Sequence, residues 1–306
     1  MIEFNFDLTD RVQKIRQINK DFDLENNAYI SYSGGKDSTV LSVLMDIALP
    51  GNKIPRVFIN TGIEFNELVH YVREKAEKDS RIIEIKSGVN IKTMLEENGY
   101  PFKSKEHSHK LELLQKGSKA KSIVSYFTVD PAKRTNHNCP HILAYQANGF
   151  DKFKVSDKCC TILKKRPAEV WSKENKRPIA IIGIRAAEGG QRANKTSCLY
   201  YQRNKLKKFS PLLVCSDHFI NTFIERFGVK LCKLYYAPYN FQRTGCKGCP
   251  FNIQLQEELE TLEKFFPNER KQCEMIFAKV YEEYRNLKYR LKDDHLKVCL
   301  EKTFYV

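Results

Sequence analysis

Residues 28–38 read AYISYSGGKDS, and this stretch decides the fold. The β-prone run Ala28–Ser33 leads into two glycines, and apolar residues at helical spacing follow over Thr39–Leu49. Two glycines let the backbone turn tightly and approach an anion, and the N-terminus of the next helix presents unpaired N–H groups to it. The stretch therefore predicts a strand, an anion-binding loop and a helix, in that order.

The same alternation of apolar strands and amphipathic helices continues outward from this stretch. Strands are predicted over Arg56–Asn60, Ile82–Ile85 and Ile179–Ile184, with helices over Glu67–Lys78 and near Ile91–Asn98. Alternation with short connections indicates parallel strands and right-handed crossovers, hence a doubly wound, mostly parallel α/β sheet. We place this domain at residues 1–215, with a basic insertion at about 101–156. A mainly helical, cysteine-bearing C-terminal extension follows at 216–306.

Composition bounds the function classes. The 306 residues carry a formal net charge of +15, which favours anionic partners such as nucleotides or nucleic acid. No run approaches the roughly 20 apolar residues needed to span a bilayer, so no membrane partner is expected. The first residues, MIEFNFDLTD, lack the basic-then-apolar order of a secretion signal, and we expect a cytoplasmic protein.

Ten cysteines in a reducing compartment favour metal or catalytic roles over disulfides. Cys159 and Cys160 are adjacent, and Cys246 and Cys249 form a CxxC. A CxxC brings two thiolates within reach of one metal, and a distant pair can complete four ligands for Zn²⁺ or a [4Fe–4S] cluster. Because adjacent cysteines bind one cluster only under strain, Cys198 is kept as a substitute for one of them. Buried, unligated thiols are the alternative.

The glycine turn also carries side chains suited to phosphate. Ser33 and Ser38 offer hydroxyl donors and Lys36 a positive charge, while Asp37 suits Mg²⁺ or an orienting role. The spacing is not that of a Walker A motif. The hexapeptide SGGKDS, with Gly34 and Gly35 at its turn, resembles the PP-loop of the ATP pyrophosphatases. The resemblance implies an adenine nucleotide alpha-hydrolase-like fold, a loop that holds the β and γ phosphates of ATP, and reaction at the α phosphate.

A second element follows the second predicted strand. Because ligands bind at the carboxyl ends of parallel strands, Thr61, Gly62 and Glu64 should face the same crevice as the loop. The segment VFINTGIEFNE resembles the VFxDTGxxFxE element of phosphoadenosine phosphosulfate (PAPS) reductases, with Asn60 where that element has Asp.

Four later blocks extend the resemblance over roughly residues 25–252. They are Lys158-Cys159-Cys160 with Pro167, Gly183-Ile184-Arg185 with Arg192, Ser210-Pro211-Leu212, and Gly245-Cys246-Lys247-Gly248-Cys249. The resemblance implies that Cys159, Cys160, Cys246 and Cys249 are cluster ligands, as in cluster-bearing adenosine phosphosulfate (APS) reductases. Gly183, Arg185 and Arg192 join the nucleotide-binding set, since arginine offers a planar fork to oxyanions. Lys36, Asp37 and Arg185 are the candidate catalytic residues.

Three functions remain open at this point. The leading one is an ATP-dependent enzyme that adenylates an acceptor, with DNA or tRNA as options, for iron–sulfur-assisted sulfur transfer from a sulfur donor. The second is an APS or PAPS reductase with a thioredoxin-like reductant, but the ECGxH-like motif that its nucleophile requires is absent around Cys299. The third is a non-catalytic nucleotide-binding subunit of a modification or defence complex. A homodimer is a further option.

Overall fold

The structure is a computed structural model that describes residues 2–292. The chain forms two compact units. Unit 1 comprises the residues up to Gly88 together with Lys164–Gly245, and unit 2 comprises Val89–Leu163 and the described residues from Cys246 onward. The domain boundary that we predicted at residue 215 lies inside unit 1, and the basic insertion lies in unit 2.

Unit 1 is built on one six-stranded sheet with the order β3-β2-β1-β4-β6-β5. Neighbouring strands are parallel except for β5 and β6, which form an antiparallel hairpin at the edge. The predicted mostly parallel, doubly wound α/β fold is confirmed. The strands are β1 (Ala28–Ser31), β2 (Arg56–Asn60), β3 (Ile82–Lys86), β4 (Ile179–Ile182), β5 (Leu199–Gln202) and β6 (Lys205–Phe209).

The helices divide between the two units. Unit 1 contains α1 (Ile2–Phe22), α2 (Leu24–Asn27), α3 (Lys36–Ala48), α4 (Asn66–Lys78), α8 (Arg166–Glu174) and α9 (Asp217–Arg226). Unit 2 contains α5 (Ile91–Asn98), α6 (Lys105–Gln115), α7 (Lys121–Tyr126), α10 (Leu255–Phe265) and α11 (Pro267–Asn286). Within the described residues, no helix combines the length and apolar character that crossing a bilayer requires.

Successive side chains of a strand point to opposite faces of the sheet, and the two faces of the unit 1 sheet differ. Ile30 and Ile181 are fully buried in a core that also contains Leu41 of α3 and Phe223 of α9. Tyr29 points to the opposite face, where its ring meets Trp171 of α8 at 5.4 Å. The first face therefore supplies the main hydrophobic core, and the second is left to line a cavity.

Unit 2 is held together largely by aromatic side chains. Phe102 is fully buried, and its ring centroid lies 4.8 Å from that of Tyr284 on α11. The rings of Phe150 and Phe153 meet edge to face at 5.1 Å. The ring of Phe102 also lies 6.4 Å from that of Phe150, so Phe102 connects the loop after residue 149 with α11.

Candidate nucleotide and cysteine sites

The loop between β1 and α3 has the geometry of an anion cradle. Gly34 adopts a φ of +71°, and a Cβ built there would lie 2.6 Å from Cγ2 of Val72. Glycine is therefore required both for the left-handed backbone and for the close approach of α4. Gly35 occupies the N-cap position of α3, so the loop passes directly into the helix N-terminus.

Two serines hold the loop in shape. The hydroxyl groups of Ser33 and Ser38 lie 3.0 Å apart, and the Ser33 N–H donates to Oγ of Ser38 at 3.2 Å. Oγ of Ser38 in turn donates to the carbonyl of Gly35 at 3.0 Å. The structure thus brings both predicted phosphate-binding hydroxyls to one point of the loop.

Tyr235 completes this site and was missed by the sequence reasoning. Its hydroxyl accepts the N–H of Lys36 at 2.9 Å and lies 2.7 Å from Oγ1 of Thr244. Burial raises the pKa of the Tyr235 phenol, so it stays protonated and can donate. Tyr235 follows Lys36 by 199 positions, and no motif spacing signals the contact.

Asp37 and Arg185 form the charged centre of the site. Nε of Arg185 donates to Asp37 at 2.9 Å, and its Nη2 donates to Asp217 at 2.8 Å. Burial raises the pKa of Asp37, against the opposing effect of Arg185. Burial alone would lower the pKa of Arg185, but the two aspartates outweigh it and leave that pKa above its usual value. The pair fixes the orientation of Asp37 beside the loop.

Glu188 gathers further arginines at the carboxyl end of β4. It accepts the N–H of Arg185 at 3.0 Å and pairs with Arg192 and Arg243. At Gly183 an added Cβ would lie 3.0 Å from the carbonyl oxygen of Asp37, which explains why the strand end can pack on the first turn of α3. Arg185 and Gly183 therefore contact the first turn of α3, whereas Arg192 forms an ion pair with Glu188.

The second predicted element also lies in unit 1. Glu64 is buried and accepts the N–H and hydroxyl of Thr61, at 2.8 and 2.9 Å, while Lys164 pairs with it at 3.1 Å. Asn60 donates from Nδ2 to Glu84 at 2.7 Å and accepts the N–H of Gly62 at 3.0 Å. Asn60 therefore orders the turn instead of supplying a carboxylate to the crevice.

A cavity of about 1040 Å³ adjoins the loop within unit 1. One end is lined by Ser33, Glu64 and Thr244, so it opens at the phosphate cradle. The cavity continues under α8 along the sheet face that carries Tyr29. The loop, the charged pair and the cavity therefore adjoin one another within unit 1.

Unit 2 brings four of the five candidate metal ligands together. The sulfur atoms of Cys159 and Cys160 lie 4.0 Å apart at the start of a helical segment. The proximity of Cys160, burial, and the nearby Cys249 and Cys246 all raise the pKa of Cys159 far above its ordinary value. Burial, Cys246 and Cys160 likewise raise the pKa of Cys249. Four thiols that oppose one another's ionisation are suited to an added cationic centre.

The CxxC loop is fixed by the two C-terminal helices. Gly248 N–H donates to Glu258 of α10 at 2.6 Å, and Tyr281 of α11 donates to the Gly248 carbonyl. Lys247, inside the CxxC, is buried and pairs with buried Glu269 at 2.8 Å. The two cysteines of the motif are therefore presented by a rigid turn.

The remaining candidates lie elsewhere. Cys198 packs against the hydrophobic core of unit 1 and does not belong to the unit that holds the other four. Lys158 pairs with Glu112 within unit 2. Cys299 lies outside the described residues. Among the described cysteines no disulfide is formed.

Comparison with known families agrees with this geometry. The model of the phosphoadenosine phosphosulfate reductase domain matches residues 27–132 and 133–252. The chain belongs to this family. The match covers the loop between β1 and α3 and the four candidate ligands Cys159, Cys160, Cys246 and Cys249. The PAPS reductase family resemblance drawn from the sequence motifs is thus confirmed.

Individual relatives are distant. The chain is 29% identical over 176 residues to an uncharacterized protein of Methanocaldococcus jannaschii, covering 53% of this chain and 41% of that relative, so it spans less than half the relative's length. PAPS reductase from Candida auris, solved as a phosphate complex, is 13% identical over 76% of this chain and 87% of its own, with a TM-score of 0.43. The U34-tRNA thiolase NcsA from Methanococcus maripaludis, solved with its [4Fe-4S] cluster, is 16% identical. The match covers 95% of this chain and 84% of the thiolase, with a TM-score of 0.38.

Proposed function

We propose that this family member binds ATP at the loop of unit 1, releases pyrophosphate and adenylates an acceptor for sulfur transfer. The observation that carries the proposal is the loop itself. Ser33, Ser38 and the N-terminus of α3 converge on one point, with Lys36 at the first helical position. Backbone donors, hydroxyls and one ammonium group at a helix N-terminus favour a polyphosphate over a neutral ligand.

Each charged residue then has a role in the first step. Lys36 would neutralise the leaving pyrophosphate, and Asp37 would hold Mg²⁺ on the phosphates. Arg185 keeps the Asp37 carboxylate aimed at the loop through the 2.9 Å contact, and its guanidinium can stabilise charge that develops at the α phosphate. The acceptor oxygen attacks the α phosphorus, the bond to the bridging oxygen breaks, and pyrophosphate leaves with both electrons.

The second step replaces the adenylate by sulfur. A sulfur donor at the oxidation level of sulfide attacks the acceptor atom that carries AMP, the new C–S bond replaces the C–O bond, and AMP leaves as the anion. Adenylation serves to convert an oxygen that leaves poorly into one that leaves well. Glu64, held by Thr61 and Lys164, lines the cavity near the loop and suits the positioning of the nucleotide or acceptor.

The four candidate ligands in unit 2 fit an iron–sulfur cluster better than a single zinc ion. Tetrahedral zinc with Zn–S bonds of about 2.3 Å places its ligand atoms about 3.8 Å apart. Within residues 2–292, the one group of three or more His, Cys, Asp or Glu ligand atoms within 4.8 Å of one another is His109, Glu112 and Asp157, not these cysteines. The sulfur atoms of Cys159 and Cys160 lie 4.0 Å apart, but no other of these four sulfur atoms lies within 4.8 Å of both. This arrangement of soft thiolates supports a multinuclear centre held by Cys159, Cys160, Cys246 and Cys249. Such a centre supplies a soft iron site and one-electron chemistry.

The test is anaerobic purification followed by separate assays with ATP, APS and PAPS, reading pyrophosphate and sulfite. We expect pyrophosphate from ATP, lost in Lys36→Ala and Ser38→Ala but kept in Lys53→Ala, an exposed lysine of the same unit. Iron content should fall in Cys249→Ser and stay unchanged in Cys198→Ser.

The assay also decides the second candidate, which the family match favours. Sulfite from APS or PAPS without pyrophosphate from ATP would replace adenylation by sulfonucleotide reduction, with a thioredoxin-like reductant as electron source. Absence of both products in iron-loaded protein, also with RNA and DNA supplied as acceptors, would refute the enzyme proposal.

A further inference from the structure

The cavity of unit 1 has a second end that the nucleotide does not need. Its volume of about 1040 Å³ lies at the upper limit of the roughly 300–1,000 Å³ typical of sites for one small ligand. Away from the loop it is lined by Tyr200 of β5, Lys207 and Lys208 of β6, and Lys173 and Lys176 on and after α8. We call this region the basic end.

Positive charge at the basic end is poorly compensated. The cavity is lined by more lysines than acidic residues, and its acidic residues are Glu64 and Glu169. The lysines are Lys164, Lys165, Lys173, Lys176, Lys207 and Lys208. Lys164 pairs with Glu64, but among the described residues no salt bridge joins any of the other five. Placing like charges along one wall costs free energy unless an anion binds there.

The basic insertion at about 101–156, which lies in unit 2, is different. Lys110 pairs with Glu106 at 2.9 Å, Lys133 pairs with Asp130 at 3.0 Å, and Lys116 pairs with Glu112. These ion pairs lie within the segment and reduce its field. Lys105, Lys119 and Lys121 of this segment form no salt bridge among the described residues and are exposed, whereas the lysines of the basic end line one cavity.

An exposed aromatic ring stands beside the lysines. Tyr200 is 50% exposed on the edge strand, and the Lys208 ammonium lies 5.4 Å from its ring centroid. The next residue, Tyr201, is 46% exposed but lies outside the cavity lining, with its ring 6.2 Å from that of Phe22. A half-exposed ring next to ammonium groups is the combination used by proteins that bind single strands.

Protection of the sheet edge explains only part of this pattern. Lysines on β5 and β6 would discourage edge-to-edge pairing of the hairpin. That role does not account for Lys165, Lys173 and Lys176, which come from the α8 region and line the same cavity.

We infer that the basic end binds single-stranded nucleic acid, with an unpaired base stacked on Tyr200 and phosphates held by the lysines. The inference rests on the proposed function in one respect, because it names the class of acceptor that would be adenylated. A single strand is favoured over a duplex because stacking on a side chain requires an unpaired base.

The test is fluorescence anisotropy with full-length protein and no ATP, using labelled RNA or DNA strands of about 12 nucleotides. Loss of one stacking contact should weaken binding roughly 5- to 150-fold in Tyr200→Ala. Tyr201→Ala is the matched control and should bind like the parent protein. Thermal unfolding of both variants checks that the hairpin still folds.

Salt dependence tests the lysines separately. Each phosphate contact on a single strand contributes about 0.7 to the slope of log affinity against log salt concentration. We therefore expect that slope to become shallower by about 2 in the triple variant Lys173→Ala, Lys207→Ala, Lys208→Ala. The control triple variant Lys110→Ala, Lys116→Ala, Lys133→Ala should leave the slope unchanged. Preference for the RNA or the DNA strand identifies the source of the acceptor.

Equal effects of the two tyrosine variants, or equal affinity for the matching duplex, would overturn the inference. Because no nucleotide is added, the result is independent of catalysis. Binding that depends on Tyr200 without pyrophosphate release would refute adenylation and leave this site standing. Pyrophosphate release without strand binding would refute only this site.

Discussion

Replacing Gly34 by alanine tests whether the loop is held in the shape that the structure shows. Two costs add at this position. An L-residue at a φ of +71° costs about 1–2 kcal/mol. The new Cβ would lie 2.6 Å from Val72, which is fully buried, and displacing packed core atoms costs about 1–3 kcal/mol. We therefore expect the free energy of unfolding to fall by about 2–5 kcal/mol.

Gly62→Ala is the matched control for this prediction. Its φ is +83°, but no heavy atom beyond its chain neighbours lies within 4 Å of the added Cβ. Only the backbone cost of about 1–2 kcal/mol applies, and the smaller entropy of the unfolded alanine chain is common to both variants. Urea unfolding at pH 7, with equal iron content in all samples, measures the difference. Equal destabilisation of the two variants would refute the packing of α4 against the loop.

Three further predictions concern other parts of the chain. Asn60→Asp should lower the free energy of unfolding by about 1–2 kcal/mol at pH 7. The reason is that Asn60 donates a hydrogen bond to Glu84, whereas an aspartate carboxylate would repel the Glu84 carboxylate. An unchanged free energy of unfolding would contradict this role of Asn60. Burial raises the pKa of Glu258 from 4.5 to about 7. The folded state therefore binds this proton more tightly, and stability should fall by up to about 3 kcal/mol as pH rises from 4.5 to 7. Glu258→Gln should flatten that decline and Glu257→Gln should not; equal pH profiles would show that Glu258 is not the group responsible. Burial also raises the pKa of Cys273 to about 12. Iodoacetamide at pH 8 should therefore leave Cys273 unmodified in the native protein, as measured by mass spectrometry. Rapid labelling would contradict its burial.

Local sequence patterns were sufficient to predict most of the parallel strands and several helices. The strand Arg56–Asn60 and the helix Ile91–Asn98 have the predicted bounds, because continuous apolar runs and capping residues act over a few positions. The hairpin of β5 and β6 was not predicted. Its strands read LYYQ and KLKKF, and an edge hairpin exposed on one side needs no continuous apolar run. Helix α1 was also missed, although Leu8, Val12, Ile15, Ile18 and Phe22 recur at the three- and four-residue spacing of an amphipathic helix and pack in or against the core.

The sequence by itself determined what each candidate residue can do. The glycine turn, the serines and Lys36 are adjacent in the chain, so their chemistry could be read from spacing. Only the tertiary structure decided which distant residues meet them. Tyr235 reaches the Lys36 N–H and Arg185 reaches Asp37 across 199 and 148 positions. The path of the chain through the fold sets such contacts, and no local pattern encodes that path.

The cysteines show the same division. Sequence reasoning provided five candidate ligands and left Cys198 as an option, because a thiol has the same chemistry wherever it stands. In the folded chain Cys198 packs on the core of unit 1, while the other four belong to unit 2. Residues 89–163 and the described residues from Cys246 to position 292 are separated in sequence by the segment that contributes β4, β5 and β6. They fold together because each buries aromatic surface that the other covers.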